Sequence, residues 1–553
     1  MRGNKRLRPF EFNLKIHRPV NFLFIVLLGL ILLGCEEKQE EQTSDTKSEP
    51  RPNIILIVAD DLGYSDIGSY GGEISTPNLD ELAQEGVRLS NMHNAGMCVI
   101  SRASMLTGQW WPRVGFGIEK GSNIAQVLKK DGYRTGLIGK WHLKGEPNNK
   151  GFDHFFGFLG GFSSYFNGSP DYRLNKEKYD DFDNGFYSTD AFSKNAVDFV
   201  NKNDPSQPFF LYLSYQAPHN PLQAPKEDIE KYRGSYLKGW QVVREARIEN
   251  QIKMDLIQPE TPLPDYPENL PAWNSLTPQQ KDLEDLRMSV YAAMVERMDT
   301  GIGQLMAALK ANGQDKRTLV IFLSDNGTDS FSVMDAAMLD KGLLPGDAGS
   351  NYQPGTGWAY ASVAPKRLYK ISQHGGGVKT GAITWWPETI EKNKSIHMEP
   401  LHVVDIMPTI LEVSGSLKSS NNKESNNFFA GKSFLPLLKG DDWKRDAPMY
   451  FQFIDNRAIR TEQWSLLEID GNGWELYDNT KDPLETNDLA NENPAKVSEL
   501  EKDWLEWWKS EGGNLDYQPE STSESPHYQP QGDRGSGDMY VPTAMPDTLR
   551  LKY

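Results

Sequence analysis

Several apolar runs end in residues able to bind a metal or move a proton. Residues 53–63 (NIILIVADDLG) lead into Asp60 and Asp61, and residues 318–327 (TLVIFLSDNG) lead into Asp325 and Asn326. Together these offer four oxygen-bearing side chains, which suit Ca2+ or Mg2+ rather than zinc. Residues 134–143 (RTGLIGKWHL) close on Lys140 and His142, and residues 208–221 close on His219 within APHNP. With Arg102 and Lys370 they provide cations and acid–base groups around an anion. A divalent cation ringed by Lys, Arg and His suits a tetrahedral oxyanion such as sulfate or phosphate.

Cys98 stands at the start of a helical pattern in MCVISRASMLTG (97–108). One reading is a buried small hydrophobe. A second is the nucleophile of a Cys–His hydrolase, its thiol made acidic by the positive end of a helix. Soft sulfur is a poor ligand for a hard cation, however, so an oxygen nucleophile would suit this position better.

These groups need a scaffold that brings strand ends together. The runs at 53–63, 134–143, 208–221, 318–327 and 381–387 read as strands buried on both faces. Helical spacing lies between them at 76–87, 122–133 and 289–313, with Pro77 and Gly86 as start and stop signals for the first. Strands alternating with helices predict an α/β fold, a large mostly parallel sheet sandwiched by helices. In such sheets, sites form beyond the carboxyl ends of the strands. Residues 226–285 and 328–368 read as insertions on the rim, and Trp240, Trp273, Tyr352, Trp358 and Tyr360 within them are candidates for stacking on sugars. Packing of the rim is the competing reading. Beyond residue 440 short antiparallel strands and an amphipathic helix predict a smaller α+β subdomain.

The chain has 553 residues and a formal charge of −17, which argues against nucleic-acid binding through a basic face. Its first residues are basic and precede FLFIVLLGLILLGC, too short for a comfortable membrane span. The ending LLGC resembles a bacterial lipobox, whose Cys, here Cys35, becomes lipidated. The expected organisation is a lipoprotein signal peptide (1–35), a polar tether (36–50), a catalytic domain (51–440), a C-terminal subdomain (441–512) and a tail (513–553). The expected location is the bacterial cell envelope, lipid-anchored. After lipidation Cys98 is the sole remaining thiol of the two cysteines, so no intrachain disulfide forms.

From Pro52 to about Trp508 the chain resembles the type I, formylglycine-dependent sulfatases (arylsulfatase family) of the alkaline phosphatase-like superfamily. The resemblance rests on PNIILIVADDLGYSDIGSYGG, STPNLDELAQEGVRLSN, CVISRASMLTG, TGLIGKWHL, GFDHFFGF, APHNP, SDNG, HVVDIMPTI and RAIRTEQWSLLE, in the family's order. It implies that a maturase oxidises Cys98 to formylglycine, whose hydrate attacks sulfur and then expels sulfate. It implies one Ca2+ held by Asp60, Asp61, Asp325, Asn326 and the residue at 98. Arg102 would orient the hydrate; Lys140, His219 and Lys370 would bind sulfate, with His219 the acid for the leaving alcohol. His142 would contact the formylglycine hydroxyl. The expected substrate is a sulfated carbohydrate.

Two positions depart from the family pattern: Ile100 replaces the usual Pro or Ala, and Gly375 replaces a usual Glu. A phosphate or phosphonate monoesterase of the same superfamily is the enzymatic alternative. An inactive glycan-binding lipoprotein with unmodified Cys98 is the non-enzymatic one.

Overall fold

A computed structural model describes residues 51–182, 185–390, 395–417, 429–469, 471–513, 540 and 542–549. The expected signal peptide, Cys35 and tether lie outside these residues. Among the described residues no helix is long and apolar enough to cross a membrane.

The strands are β1 (Asn53–Asp60), β2 (Val87–His93), β3 (Arg134–Lys140), β4 (His154–Phe158), β5 (Tyr172–Leu174), β6 (Glu177–Lys178), β7 (Phe209–Pro218), β8 (Thr318–Ser324), β9 (Lys379–Trp385), β10 (Ile396–His397) and β11 (Leu401–His402). They form one sheet in the order β10-β2-β9-β8-β1-β7-β3-β4-β5-β6, with β11 also on β2. The centre is parallel: β1 pairs with β7 and β8, and β3 pairs with β7 and β4. Every residue of β1, β7 and β8 is buried, as continuous apolar runs require when helices cover both faces. Strand β9 runs antiparallel to both β8 and β2, so the sheet is mixed on that side. No period-2 pattern marks β2, whose sequence VRLSNMH is half polar.

Helices flank the sheet. Thr277 caps the 34-residue helix Pro278–Ala311: its side chain accepts from the Gln280 N–H, and Pro278 takes the first helical position. That helix packs on Ser188–Asn201. The segment 226–285 is not only a rim loop, because Trp240–Lys253 is a helix within it.

The five aromatic residues singled out in the two insertions are buried. Trp240, Tyr352 and Trp358 are fully buried, and Trp273 and Tyr360 nearly so. Trp240 meets Trp273 edge-on at 4.8 Å and Trp358 at 5.9 Å. The rings pack against one another because large apolar faces gain more from mutual burial than from waiting for a sugar. The sugar-stacking expectation is therefore corrected to rim packing.

A second, antiparallel sheet comprises β12 (Met449–Phe453), β13 (Asn456–Arg460), β14 (Trp464–Glu468) and β15 (Trp474–Asp478). The helix Pro494–Ser510 buries Trp504, Trp507 and Trp508. This sheet grips the loop after Lys370: Asn456 Nδ2 donates to Ile371 O at 3.3 Å, and Arg460 Nη2 donates to Gln373 O at 2.8 Å. Glu485 Oε2 accepts from Gly375 N at 2.9 Å. Tyr540 and Met545, within the expected tail, are buried.

Candidate active site

Parallel pairing puts the carboxyl ends of β1, β3, β7 and β8 on one edge, where open α/β sheets bind ligands. Asp60 and Asp61 leave β1, Lys140 and His142 follow β3, His219 follows β7, and Asp325 and Asn326 follow β8. Asp61 and His142 have left-handed backbones, with φ of 61° and 57°. Such conformations are uncommon outside glycine and are retained where the surroundings fix them. For Asp61, Tyr291 Oη donates to its carbonyl at 3.2 Å and to Asp66 Oδ2 at 2.6 Å.

The helix Cys98–Thr107 supplies two site residues from one face, because Cys98 and Arg102 are one turn apart. Both are fully buried. Arg102 Nε donates to Asp325 Oδ2 at 2.8 Å, and its Nη2 lies 2.7 Å from the same oxygen and 3.8 Å from Asp60 Oδ1. Its Nη1 reaches Ser214 Oγ, and Tyr212 Oη at 3.3 Å. Ser214 and Tyr212 thus aim the guanidinium. They sit inside an apolar run, and nothing in the sequence marks them.

Lys140 Nζ donates to Asp60 Oδ2 at 2.6 Å, and Lys370 Nζ lies 2.7 and 2.8 Å from the two oxygens of Asp61. His219 Nε2 is 3.5 Å from Asp61 Oδ2, while its Nδ1 is 2.7 Å from Asn220 O. A carbonyl only accepts, so Nδ1 carries a proton and Nε2 is the ring atom facing the site. The half-buried Phe162 ring stacks on His219, with centroids 6.3 Å apart. Asp329 is a further buried acid beside Lys370; it accepts from Gln353 Nε2 at 3.0 Å. The sequence reading missed both Phe162 and Asp329.

Electrostatics divide these groups. Burial, opposed in part by Lys140 and Lys370, pushes the Cys98 thiol up to about 12. Cys98 is therefore a thiol at neutral pH, which counts against the Cys–His hydrolase reading. Burial acts against ionisation of Asp61, but His219, Lys370 and Lys140 prevail and hold it at about 2. Burial and neighbouring Asp60 raise Asp325 to about 6 despite Arg102. Burial, reinforced by Lys370 and Lys140 and opposed by Asp61, lowers His219 to about 3. Burial and Lys140 likewise keep His142 well below its ordinary range.

The donor set fits a hard divalent cation. Among the described residues, Asp60 Oδ1, Asp325 Oδ1 and Asn326 Oδ1 are buried without a hydrogen-bond donor. Buried carboxylate and amide oxygens are seldom left so, and a cation is the partner that satisfies several at once. Asn326 Nδ2 donates to Asp61 Oδ1 at 2.5 Å, which leaves the amide oxygen for the cation. One ligand atom each from Asp60, Asp61, Cys98 and His219 lies within 4.8 Å of the others. The ten residues singled out from the sequence thus converge: Asp60, Asp61, Cys98, Arg102, Lys140, His142, His219, Asp325, Asn326 and Lys370.

A mostly parallel sheet with acids, cations and histidines gathered on its carboxyl edge is suited to a hydrolase of oxyanion esters. The chain belongs to the sulfatase family, which its residues 52–416 match, and is a sulfuric ester hydrolase with the alkaline phosphatase-like fold. Residues 369–507 match the family described as N-sulphoglucosamine sulphohydrolase, C-terminal. The chain is 33% identical to an uncharacterised sulfatase of Schizosaccharomyces pombe, over 82% of this chain and 93% of that protein. It is 34% identical to an arylsulfatase of Klebsiella aerogenes, over 70% and 91%. Among solved structures it is similar to Ps i-CgsB in complex with k-i-k-neocarrahexaose: TM-score 0.63, 28% identity, 86% of this chain and 96% of that one.

Proposed function

We propose that the protein is an exported, calcium-dependent sulfatase that desulfates sulfated oligosaccharides or polysaccharides, with Cys98 converted to formylglycine. The observation that carries this reading is the setting of Cys98. It is buried, burial pushes its thiol up to about 12, its Sγ lies within 4.8 Å of a ligand atom of each of Asp60, Asp61 and His219, and Arg102 is a turn away. A thiol so placed is a poor nucleophile, whereas an oxygen nucleophile at that position fits a hard-cation site.

Asp60, Asp61, Asp325 and Asn326 hold the cation in this reading. When bound, Ca2+ supplies Lewis acidity and a template, and formylglycine supplies the oxygen nucleophile. Arg102 keeps the cation-binding carboxylate Asp325 ionised and fixed. Lys140 and Lys370, each already on a carboxylate, present their remaining ammonium protons to the sulfate oxygens and stabilise charge there. His219 holds its Nδ1 proton on Asn220 O, so Nε2 is the atom that transfers a proton to the leaving alcohol. A sulfate ester between the two lysines offsets their charge and raises the proton affinity of His219 from its low value. His142 Nδ1, buried and without a hydrogen-bond partner among the described residues, is assigned in this reading to the hydroxyl of the residue at 98.

The saccharide assignment draws on the complex of the similar Ps i-CgsB with k-i-k-neocarrahexaose, and on the Phe162 face beside His219. Export and lipid anchoring at Cys35 in a bacterial envelope draw on the N-terminal sequence. A formylglycine-generating maturase is the implied partner.

The test is mass spectrometry of the Cys98 peptide from protein made in its native host, with parallel turnover of 4-nitrophenyl sulfate and phosphate. An aldehyde or its hydrate at 98 and a preference for sulfate are expected. An unmodified thiol in fully active protein would sink the formylglycine assignment, and preference for phosphate would sink the sulfate-ester assignment.

A further inference from the structure

A second concentration of positive charge lies away from the residues just described. Where the C-terminal sheet meets β2 and the start of β9, a cavity of about 350 Å³ is lined by Lys366, Lys379 and Arg460, with Tyr64, Leu256 and Met398 among its apolar walls. None of the ten converging residues lines it.

The charges there do not balance. Lys366 is 8% exposed, and its ammonium group lies 4.6 Å from the Tyr64 ring centre. Among the described residues neither the buried Lys366 nor the half-buried Lys379 makes an ion pair or side-chain hydrogen bond; Glu485, which acts on both through space, is paired with Arg460. The nearby acids are already engaged. Glu485 accepts from Arg460 Nη2 at 2.6 Å and from the Gly375 N–H at 2.9 Å, and Glu462 at the rim pairs with Lys444 at 2.8 Å. Arg460 Nε is buried and has no hydrogen-bond partner among the described residues. His93 Nδ1 is spent on the carbonyls of Asn91 and Leu401, both at 3.0 Å.

We infer that this cavity is a second, non-catalytic anion site that takes a sulfate group, either as the free ion or carried on a sugar. The two lysines supply the charge, and the apolar walls are suited to the face of a sugar ring. Burial, with Lys379 and Arg460 beside Lys366 and Arg460 beside Lys379, outweighs the opposing Glu485 and holds Lys366 well below its ordinary range and Lys379 at about 8. An anion in the cavity offsets this excess of positive charge, since an opposite charge close to an ammonium group favours its charged form.

Gly375 gives an internal control. A Cβ there would lie 3.5 Å from Lys366 Cδ and 3.7 Å from Lys379 Cδ, at ordinary contact. Its backbone is not left-handed, so a side chain is tolerated. Gly375→Glu therefore delivers a tethered carboxylate into the lysine pair and competes with a free anion.

The experiment is calorimetric titration of the full chain with inorganic sulfate, glucose 6-sulfate and glucose, repeated on Lys366→Met/Lys379→Met and on Gly375→Glu. Wild type is expected to show an anion site beyond the catalytic one. Both variants should weaken it by about tenfold or more, while hydrolysis of 4-nitrophenyl sulfate persists and Gly375→Glu melts no lower than wild type. Inorganic sulfate binding as tightly as glucose 6-sulfate identifies the free ion as the ligand; a clear advantage for glucose 6-sulfate identifies the sugar-borne group. The inference is overturned if neither anion occupies a site that these variants weaken. Because binding is read without turnover, its failure leaves the sulfatase assignment untouched.

Discussion

Replacement of Arg102 by methionine tests whether this guanidinium exists to offset buried carboxylates. Arg102 and Asp325 are fully buried and 2.7 Å apart. Coulomb's law with an effective dielectric near 20 gives roughly 6 kcal/mol at that separation. Desolvation of the guanidinium takes back part of this, so loss of Arg102 alone should cost about 3–5 kcal/mol by stranding Asp325 beside Asp60. The double variant Arg102→Met/Asp325→Asn removes both charges and should recover much of that loss. Urea unfolding in chelator, followed by fluorescence of the 14 tryptophans, measures both. A single variant within about 1 kcal/mol of wild type, or a double variant no more stable than the sum of the singles predicts, would refute the reasoning. The chelator matters, because a bound cation would partly replace the lost positive charge.

Truncation of Lys140 or Lys370 to alanine should lower kcat/KM for 4-nitrophenyl sulfate by about 10²–10³-fold each, the usual loss for a donor aimed at developing charge. Native protein whose Cys98 is unconverted should resist iodoacetamide at pH 8 at that residue, since the thiol is buried and pushed up to about 12; peptide mapping after brief treatment, with and without guanidinium, checks this. Trp240→Ala should destabilise the protein by about 3–5 kcal/mol and leave KM for saccharide sulfates nearly unchanged, which a melting curve and steady-state assays would show; a raised KM with unaltered stability would restore a sugar-stacking role.

The chemistry at the strand ends was legible because parallel strands buried on both faces announce themselves as apolar runs. The residues that follow them then share one edge by topology. Asp60, Lys140, His219 and Asp325 are placed by that logic alone. Arg102 was legible through its one-turn spacing from Cys98. The supporting groups were not: Ser214 and Tyr212 look like ordinary strand residues, and Asp329 looks like a loop acid until the chain brings it beside Lys370. Strand β2 escaped because its buried positions are partly polar, satisfied by edge contacts that no local pattern encodes. The rim tryptophans misled for a related reason. Aromatic residues in a polar, proline-rich segment look available for a ligand, and only the packing of Trp240, Trp273 and Trp358 shows them spent on one another.

The second sheet grips the loop after Lys370 with residues that are made late in synthesis. The carboxylates and Cys98 leave the ribosome early, but the contacts from Asn456, Arg460 and Glu485 that steady the Lys370 loop arrive only near the end. At roughly 5–20 residues per second, the interval between Cys98 and Glu485 is on the order of 20–80 s. Throughout that interval the chain is a nascent polypeptide whose residue 98 is not yet enclosed by its finished surroundings. Shortening the chain at its C-terminus would therefore do more than trim an appendage. It would take from the Lys370 loop the contacts of Asn456, Arg460 and Glu485 that hold it.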